Sequence, residues 1–511
     1  MKARYGRSMA VGLGLLLSAG ACGTRVVPAS APAGRQTVPA AAAGAPDSGG
    51  TPAGSATEAT AAPLTSGAPA GGTAPRPAAG PTALPADGAT TSPLPATNAP
   101  GPGRSTSAAA GPSRAPAAPG APDRPGTPTL PAPVPAGPAP AAAPITIGTL
   151  GTFSGPVGAV EQSAAQGVAV WVRSVNARGG VNGHQIKQVV ADDAADPARH
   201  KALEREMVER RGVQAFVYKV EAFSGQTGPD PYLAQRRIPV VGTFLAYDWD
   251  YDSPLYFPQA SSGAEFNVAS YLGPASELLV PKGLTKLGTM VCVESSVCGQ
   301  ADEMWAKRAK EFGLDDVYRG KVSLGQPDFT AECLAARNAG VQVMFFGFDD
   351  KSASRVATSC ERQGFHPQYV HTFQAASPAL LENPALDGML IGTLTFPWLA
   401  TDTPAQREFH ADFKAYAPGT DPLGSHASGW VAGKLFETAE KALPATFSVD
   451  DLLEGLWSIR NNDLGGLTVP LSFFPDRGAQ RHTCWSIVQV SHGKFILPHG
   501  TRLTCRDKSP G

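Results

Sequence analysis

The sequence predicts an α/β protein whose folded part is two doubly wound parallel-sheet lobes behind a disordered linker. Three observations lead there. The composition changes abruptly after Pro144, β-branched runs then alternate with helical patterns, and the alternation occurs as two successive series. Strands joined through helices need crossover connections, and right-handed crossovers build parallel sheets.

The chain opens with an export signal. Lys2, Arg4 and Arg7 precede a short apolar run, 9–17, and Ser18-Ala19-Gly20-Ala21-Cys22 is a small-residue cleavage region. The apolar run is too short to span a bilayer. The segment resembles a bacterial lipobox, which implies acylation of Cys22 and a membrane-anchored, extracytoplasmic protein. Ala19 departs from that motif, which prefers leucine there, and an ordinary secretory signal is the alternative. Segment 23–144 is almost entirely Ala, Pro, Gly, Ser and Thr, and within 24–144 there is no aromatic residue, Ile, Met, Cys or Lys. It cannot bury enough apolar surface to offset backbone ordering, so it is expected to be a disordered tether. As a flexible coil of about 120 residues it would span roughly 60 Å, and fully extended roughly 380 Å.

The folded part is expected over 145–511. Strand 145–150 leads into a helix with Val160, Ala164, Val168, Trp171, Val172 and Val175 on one face, stopped at Gly179-Gly180. After strand 185–191, Asp196-Pro197 supplies an N-cap and a first-turn proline, and Leu203, Met207 and Val208 give the next helix its buried stripe. Strands 215–220 and 238–243 complete the first series; 286–293, 317–322, 341–347 and 389–394 form the second. In such sheets ligands bind beyond the carboxyl ends of the strands, here the loops after Ile147, Val220, Val241, Val293, Phe346 and Val370.

Charge excludes one class of partner. With 42 Lys+Arg against 43 Asp+Glu and no basic stripe, nucleic acid is not expected. Seven cysteines are one at the signal junction plus six in the folded part, an even number suited to an oxidising compartment. Proximity favours Cys292–Cys298, Cys333–Cys360 and Cys484–Cys505, the last pair flanking a hairpin that turns at Ser491-His492-Gly493. Metal ligation is the rival reading, but there is no C-x-x-C pair and the nine His are scattered. Asp192, Asp193 and Asp196 lack the spacing of an EF-hand loop. No metal or cofactor is expected. Enzyme signatures (G-x-S-x-G, H-E-x-x-H, a P-loop, a dinucleotide G-x-G-x-x-G) are missing, and His426 and Ser428 have no positional logic as a catalytic pair.

Three motifs in order, ITIGTLGTFSGPVG (145–158), VNARGGVNGHQI (175–186) and DDAADP (192–197), resemble the leucine/isoleucine/valine-binding family of type I periplasmic binding proteins. These feed ABC importers. The similarity runs from Ile145 to about Cys505. It implies two lobes joined by three hinge crossings, with lobe 1 at about 145–267 and 396–468 and lobe 2 at about 268–395 and 469–511. GGLTVPLSFFPDRG (465–478) is similar to the family's last crossing.

Candidate ligand contacts follow. Ser154-Gly155 precedes a helix N-terminus, where amides and a hydroxyl suit a carboxylate; a simple turn and cap is the alternative. By resemblance, Phe223 and Ser224 lie in the segment whose hydroxyl and amides hold a ligand carboxylate. Thr243, Phe244 and Ala246 match the next contact loop. Phe348 stands where a tyrosine often covers the ligand, and Gln374 where an acid holds an ammonium. A neutral Gln374 argues against a free α-amino acid, unless Asp349 or Glu221 substitutes. Phe153, Phe223, Phe244, Tyr247, Trp249, Phe348 and Phe373 crowd the same loops and suit an apolar or planar ligand. The run Tyr247-Asp248-Trp249-Asp250-Tyr251-Asp252 is either a recognition element for a cationic or hydroxylated ligand or a solvated loop. The expected function is a monomeric solute receptor of an ABC importer that closes on a small organic ligand, amino-acid-like, carboxylate or aromatic. A sensor reporting to a signalling partner is the alternative, and ABC permease subunits are the expected partners.

Overall fold

The computed structural model describes residues 142–158, 161–221, 228–245, 247–260 and 268–506. The expected signal peptide, Cys22, nearly all of the tether, and the candidate contacts Phe223, Ser224 and Ala246 lie outside them. Among the described residues no helix is long and apolar enough to cross a membrane.

The first sheet comprises β1 (Ile145–Gly151), β2 (Ile186–Asp192), β3 (Ala215–Lys219), β4 (Val240–Thr243) and β5 (Tyr256–Phe257). Its order is β2-β1-β3-β4-β5, and every pair is parallel. Between the strands run α1 (Gly155–Gly158), α2 (Gln162–Ala177), α3 (Pro197–Glu209), α4 (Pro231–Arg236) and α5 (Trp249–Asp252). The reversal of strand order at β1 and β3 places their carboxyl ends at the switch point. Asp196 caps α3 as its sequence suggests, accepting from the amides of Ala198 and Arg199.

Helix α6 (Val268–Leu278) leads into the second sheet: β6 (Lys286–Cys292), α7 (Ser296–Ala309), β7 (Asp315–Val322), α8 (Thr330–Asn338), β8 (Val343–Gly347), α9 (Asp350–Arg362), β9 (Gln368–Thr372) and β10 (Leu390–Thr393). The chain then returns to the first sheet with α10 (Pro404–Tyr416), α11 (Gly424–Ala439) and α12 (Val449–Trp457). A short hairpin, β11 (Phe473–Phe474) and β12 (Gly478–Ala479), precedes β13 (Thr483–Ser491), β14 (Lys494–Ile496) and β15 (Thr504–Arg506). The second sheet has the path β14-β13-β10-β9-β8-β6-β7, with β15 beside β13. Its core, β6 to β10, is parallel, and β13 adds antiparallel to β10. The hairpin of β13 and β14 turns at His492 and Gly493, both at positive φ.

Small residues decide how α11 docks. A Cβ on Gly167 of α2 would come within 2.2 Å of the His426 carbonyl, and one on Gly429 within 1.9 Å of the Ala164 carbonyl. The two helices therefore pack backbone to backbone, and α11 reaches across the first sheet to the second lobe. Cys292–Cys298, Cys333–Cys360 and Cys484–Cys505 are bonded, with Cα separations of 5.5, 5.0 and 4.0 Å.

One sequence expectation needs correction. Of the expected stripe of α3, Met207 is fully buried while Leu203 and Val208 pack half-buried against the same apolar cluster, and the other fully buried residues are the polar His200 and Glu204. Polar side chains occupy the buried stripe because Asp193 and Lys219 wait there to pair with them.

Candidate functional site

The carboxyl ends of both sheets carry the candidate contacts that lie among the described residues. In the loop after β1, the Thr152 hydroxyl donates to Asp193 at 2.6 Å and the Phe153 amide to Asp192 at 2.9 Å. Ser154 is exposed and its side chain bonds Asp192. Burial raises the Asp192 carboxyl, but bonds from Ser154 and the amides of Phe153 and Ala194 outweigh it and hold the group below the usual range. The Ser154 hydroxyl is thus engaged with an anion of the chain itself.

After β4, Thr243 is buried and its backbone is fully engaged. Its amide donates to Gln259 Oε1 at 3.0 Å and its carbonyl accepts from Gln259 Nε2 at 3.0 Å. The Leu245 amide donates to the Thr243 hydroxyl at 3.1 Å, which leaves the hydroxyl proton for another acceptor. Gln259 also donates to Ser428 at 2.6 Å. His426, pushed down to about 4 by burial, accepts from the Leu423 amide and faces Gln166 across 3.0 Å. Its neighbour Ser428 ties α11 to the loop after β5 through Gln259.

In the second lobe, Phe348 stacks on Phe346 at 5.1 Å between ring centroids, and Phe346 stacks on Tyr369 at the same distance. Phe373 is wholly buried, packed under Gly424, so this ring belongs to the core. Gln374 is the meeting point of the lobes. Its Oε1 accepts from the Thr372 hydroxyl, its Nε2 donates to the Phe244 carbonyl at 3.5 Å, and its carbonyl accepts from Ser425 of α11 at 3.4 Å.

The two acids offered as substitutes for an acidic residue at 374 have other partners. Asp349 caps α9 through the amides of Lys351 and Ser352 and the Ser352 hydroxyl. Glu221 is buried against Lys219 and accepts from the Tyr256 hydroxyl at 3.0 Å. The aromatic and acidic run 247–252 is structural as well. Tyr247 stacks on Trp249 at 4.9 Å, and Asp248 and Asp252 pair with Arg481.

Sequence reasoning missed Gln259, Thr372 and Ser425, none of which carries a local motif, and it missed Glu161. That carboxyl is wholly buried and accepts from the Tyr218 hydroxyl at 2.6 Å. Burial pushes it up to about 8, against the lowering effect of the Tyr218 bond. Tyr218 sits at φ 64° where the β1–β3 register shifts, a conformation that aims it at α2.

Two stacked α/β lobes whose strand ends meet around small polar contacts are matched over residues 144–494 by the family described as Periplasmic binding protein. The chain belongs to this family. Its members bind small molecules outside the cytoplasm and work with ABC permeases. A curated relative, the leucine-, isoleucine-, valine-, threonine- and alanine-binding protein of Pseudomonas aeruginosa, is 23% identical over 314 residues, 59% of this chain and 80% of that one. Among solved structures, this periplasmic binding protein is similar to a branched-chain amino acid ABC transporter from Thermus thermophilus with bound valine. The TM-score is 0.59 at 18% identity, over 70% of this chain and 96% of that one. A solute-binding protein from R. palustris in complex with benzoate has a TM-score of 0.57 at 15% identity, over 71% and 98%. At these identities the structures establish the fold; relatives in the family are binding proteins, in keeping with the missing enzyme signatures.

Proposed function

We propose that this periplasmic binding protein is the receptor of an ABC importer and closes on a small carboxylate with an apolar or aromatic body, not on a free α-amino acid. Gln374 carries the reading. It is neutral, buried and engaged by Thr372 and Phe244, and Asp349 and Glu221 have partners of their own. An ammonium brought here would lose its hydration without gaining a full opposite charge. A carboxylate is served by what the loops do offer, the Thr243 hydroxyl, while Phe244 and Phe348 supply apolar wall. Relatives of this fold hold either kind of ligand: one carries valine and another benzoate. Closure follows from contacts made by both lobes at once, which shift the open–closed equilibrium. The N-terminal signal, acylated Cys22 and the 23–144 tether complete the proposal by holding the receptor at the outer face of a membrane.

The test is calorimetry of the purified chain with benzoate and valine, preceded by native mass spectrometry of protein isolated without refolding. Benzoate binding with no valine binding is expected. Valine binding more tightly than benzoate would overturn the assignment, because it would require an ammonium partner at this site.

A further inference from the structure

A densely charged buried region lies beside the ligand loops, beneath the ends of β2 and β3. Helix α3 turns His200 and Glu204 inward, one helical turn apart on the same face, and the chain leaving β3 adds Lys219 and Glu221. His200, Glu204, Lys219 and Glu221 are all exposed by 3% or less.

His200 is oriented from behind. Its Nδ1 lies 2.7 Å from Asp193 Oδ2, so Nδ1 carries the proton and donates it. Asp193 is itself held by the Thr152 hydroxyl and the Ala195 amide. Nε2 has no hydrogen-bond partner, and in the neutral ring it presents a lone pair. One donor atom each from His200, Glu204 and Glu221 lies within 4.8 Å of the others, the one such group among the described residues. An imidazole whose far nitrogen is fixed by a carboxylate, facing two further carboxylates, is the arrangement that metal sites use.

Charge points the same way. Asp193, Glu204 and Glu221 bring three carboxylates into a dry interior against one ammonium, Lys219, which lies 2.8 Å from Glu204 and touches Glu221. Buried carboxylates are paired or coordinate a metal. A divalent cation at this cluster would bring twice the charge of that ammonium.

We propose that His200 Nε2, Glu204 and Glu221 form a binding site for a divalent cation of the zinc class, with Asp193 as the positioning residue and the Lys219 ammonium as the resident cation it displaces. The imidazole selects against calcium and magnesium, which take all-oxygen sets. Zinc bonds of about 2.0–2.2 Å require the three donors to draw closer than they stand, a contraction that α3 and the end of β3 must share. Because Thr152 holds Asp193 and precedes Phe153, the ion would brace the loop that follows β1.

The experiment uses the full chain, stripped with chelator and titrated with Zn2+ alone, read by calorimetry and by native mass spectrometry for stoichiometry. One ion per chain is expected. H200Q should lose the binding, and D193N should weaken it by about tenfold or more. K219M should tighten it, since the competing ammonium is gone. H366Q, at an exposed His366–Glu361 pair, should change nothing. If H200Q does not fold by circular dichroism, D193N carries the test. Absence of binding to the wild-type chain, binding seen only in K219M, or binding that survives the loss of His200 or is indifferent to D193N would each overturn the site.

Discussion

Replacing Glu440 by glutamine should stabilise the protein at neutral and alkaline pH and leave it unchanged in acid. Glu440 ends α11, is 1% exposed, and neither carboxyl oxygen has a hydrogen-bond partner. A Cβ on Gly455 of α12 would stand 2.9 Å from one of those oxygens, so no space is left for water to enter on that side. Burial, with Asp451 adding to it, pushes the carboxyl up to about 9, and the negative end of the α11 dipole acts in the same direction. The sign follows from proton counting. Between the ordinary carboxylate value and about 9, the folded state holds a proton that the unfolded chain has released, so stability falls as pH rises through that window. At about 1.4 kcal/mol per unit, roughly three units separate pH 7.5 from the unfolded value, an upper bound of about 4 kcal/mol. Glutamine leaves its amide as unpartnered as the protonated acid, so the ionisation difference is what the variant removes. A gain of about 2–4 kcal/mol is therefore expected at pH 7.5, and none near pH 4.5. Denaturant unfolding of the parent and E440Q across pH 4.5 to 9 reads this directly. Curves that stay parallel at all pH values would refute the reasoning, because they would show Glu440 ionised in the fold or its charge relieved.

Glu161 should behave alike with a lower upper limit: E161Q should flatten the pH dependence between the ordinary carboxylate range and about 8, while Y218F should remove one stabilising bond without that pH signature. Breaking Cys333–Cys360, which closes a separation of 27 residues, should cost about 3–4 kcal/mol, read as a lowered denaturant midpoint for the double serine variant. D196A should cost about 1 kcal/mol through loss of the α3 cap, with no change in ligand affinity measured by calorimetry. Q374A removes the side-chain contact of the second lobe with Phe244 and should weaken ligand binding about tenfold, with ligand-induced compaction in small-angle scattering reduced in step.

The alternation of strand and helix signals was readable because each element carries its own periodicity. The run starting at Ile145, the Asp196-Pro197 cap and the glycine stop after α2 all act within a few residues, and each lies where its local chemistry puts it. The glycines of α2 and α11 gave no such signal. Gly167 and Gly429 matter only because each faces a backbone more than 250 positions away in the chain, a relation no local pattern contains.

The proposed interlobe site divides along the same line. Which loops carry it follows from strand polarity, and neutral Gln374 already speaks against an ammonium from its identity alone. That its amide is shared between Thr372, Phe244 and Ser425 depends on the meeting of three distant segments. The acids at 248 and 252 illustrate the converse: their spacing leaves a recognition element and a solvated loop both open, and only the fold brings Arg481 to them.

The sequence by itself determined the α/β class, because it rests on strand and helix periodicity and short-range capping, and it supplies the expectations of an export signal, a tether and a ligand-serving edge of each sheet. Tertiary structure alone decided which charges are buried. His200 and Glu204 read as the polar side of an amphipathic helix, yet α3 turns them inward, since Asp193 and Lys219, on two other elements, offset their desolvation there. Periodicity reports how apolar a face is; it carries no information on whether a polar face has found its partners.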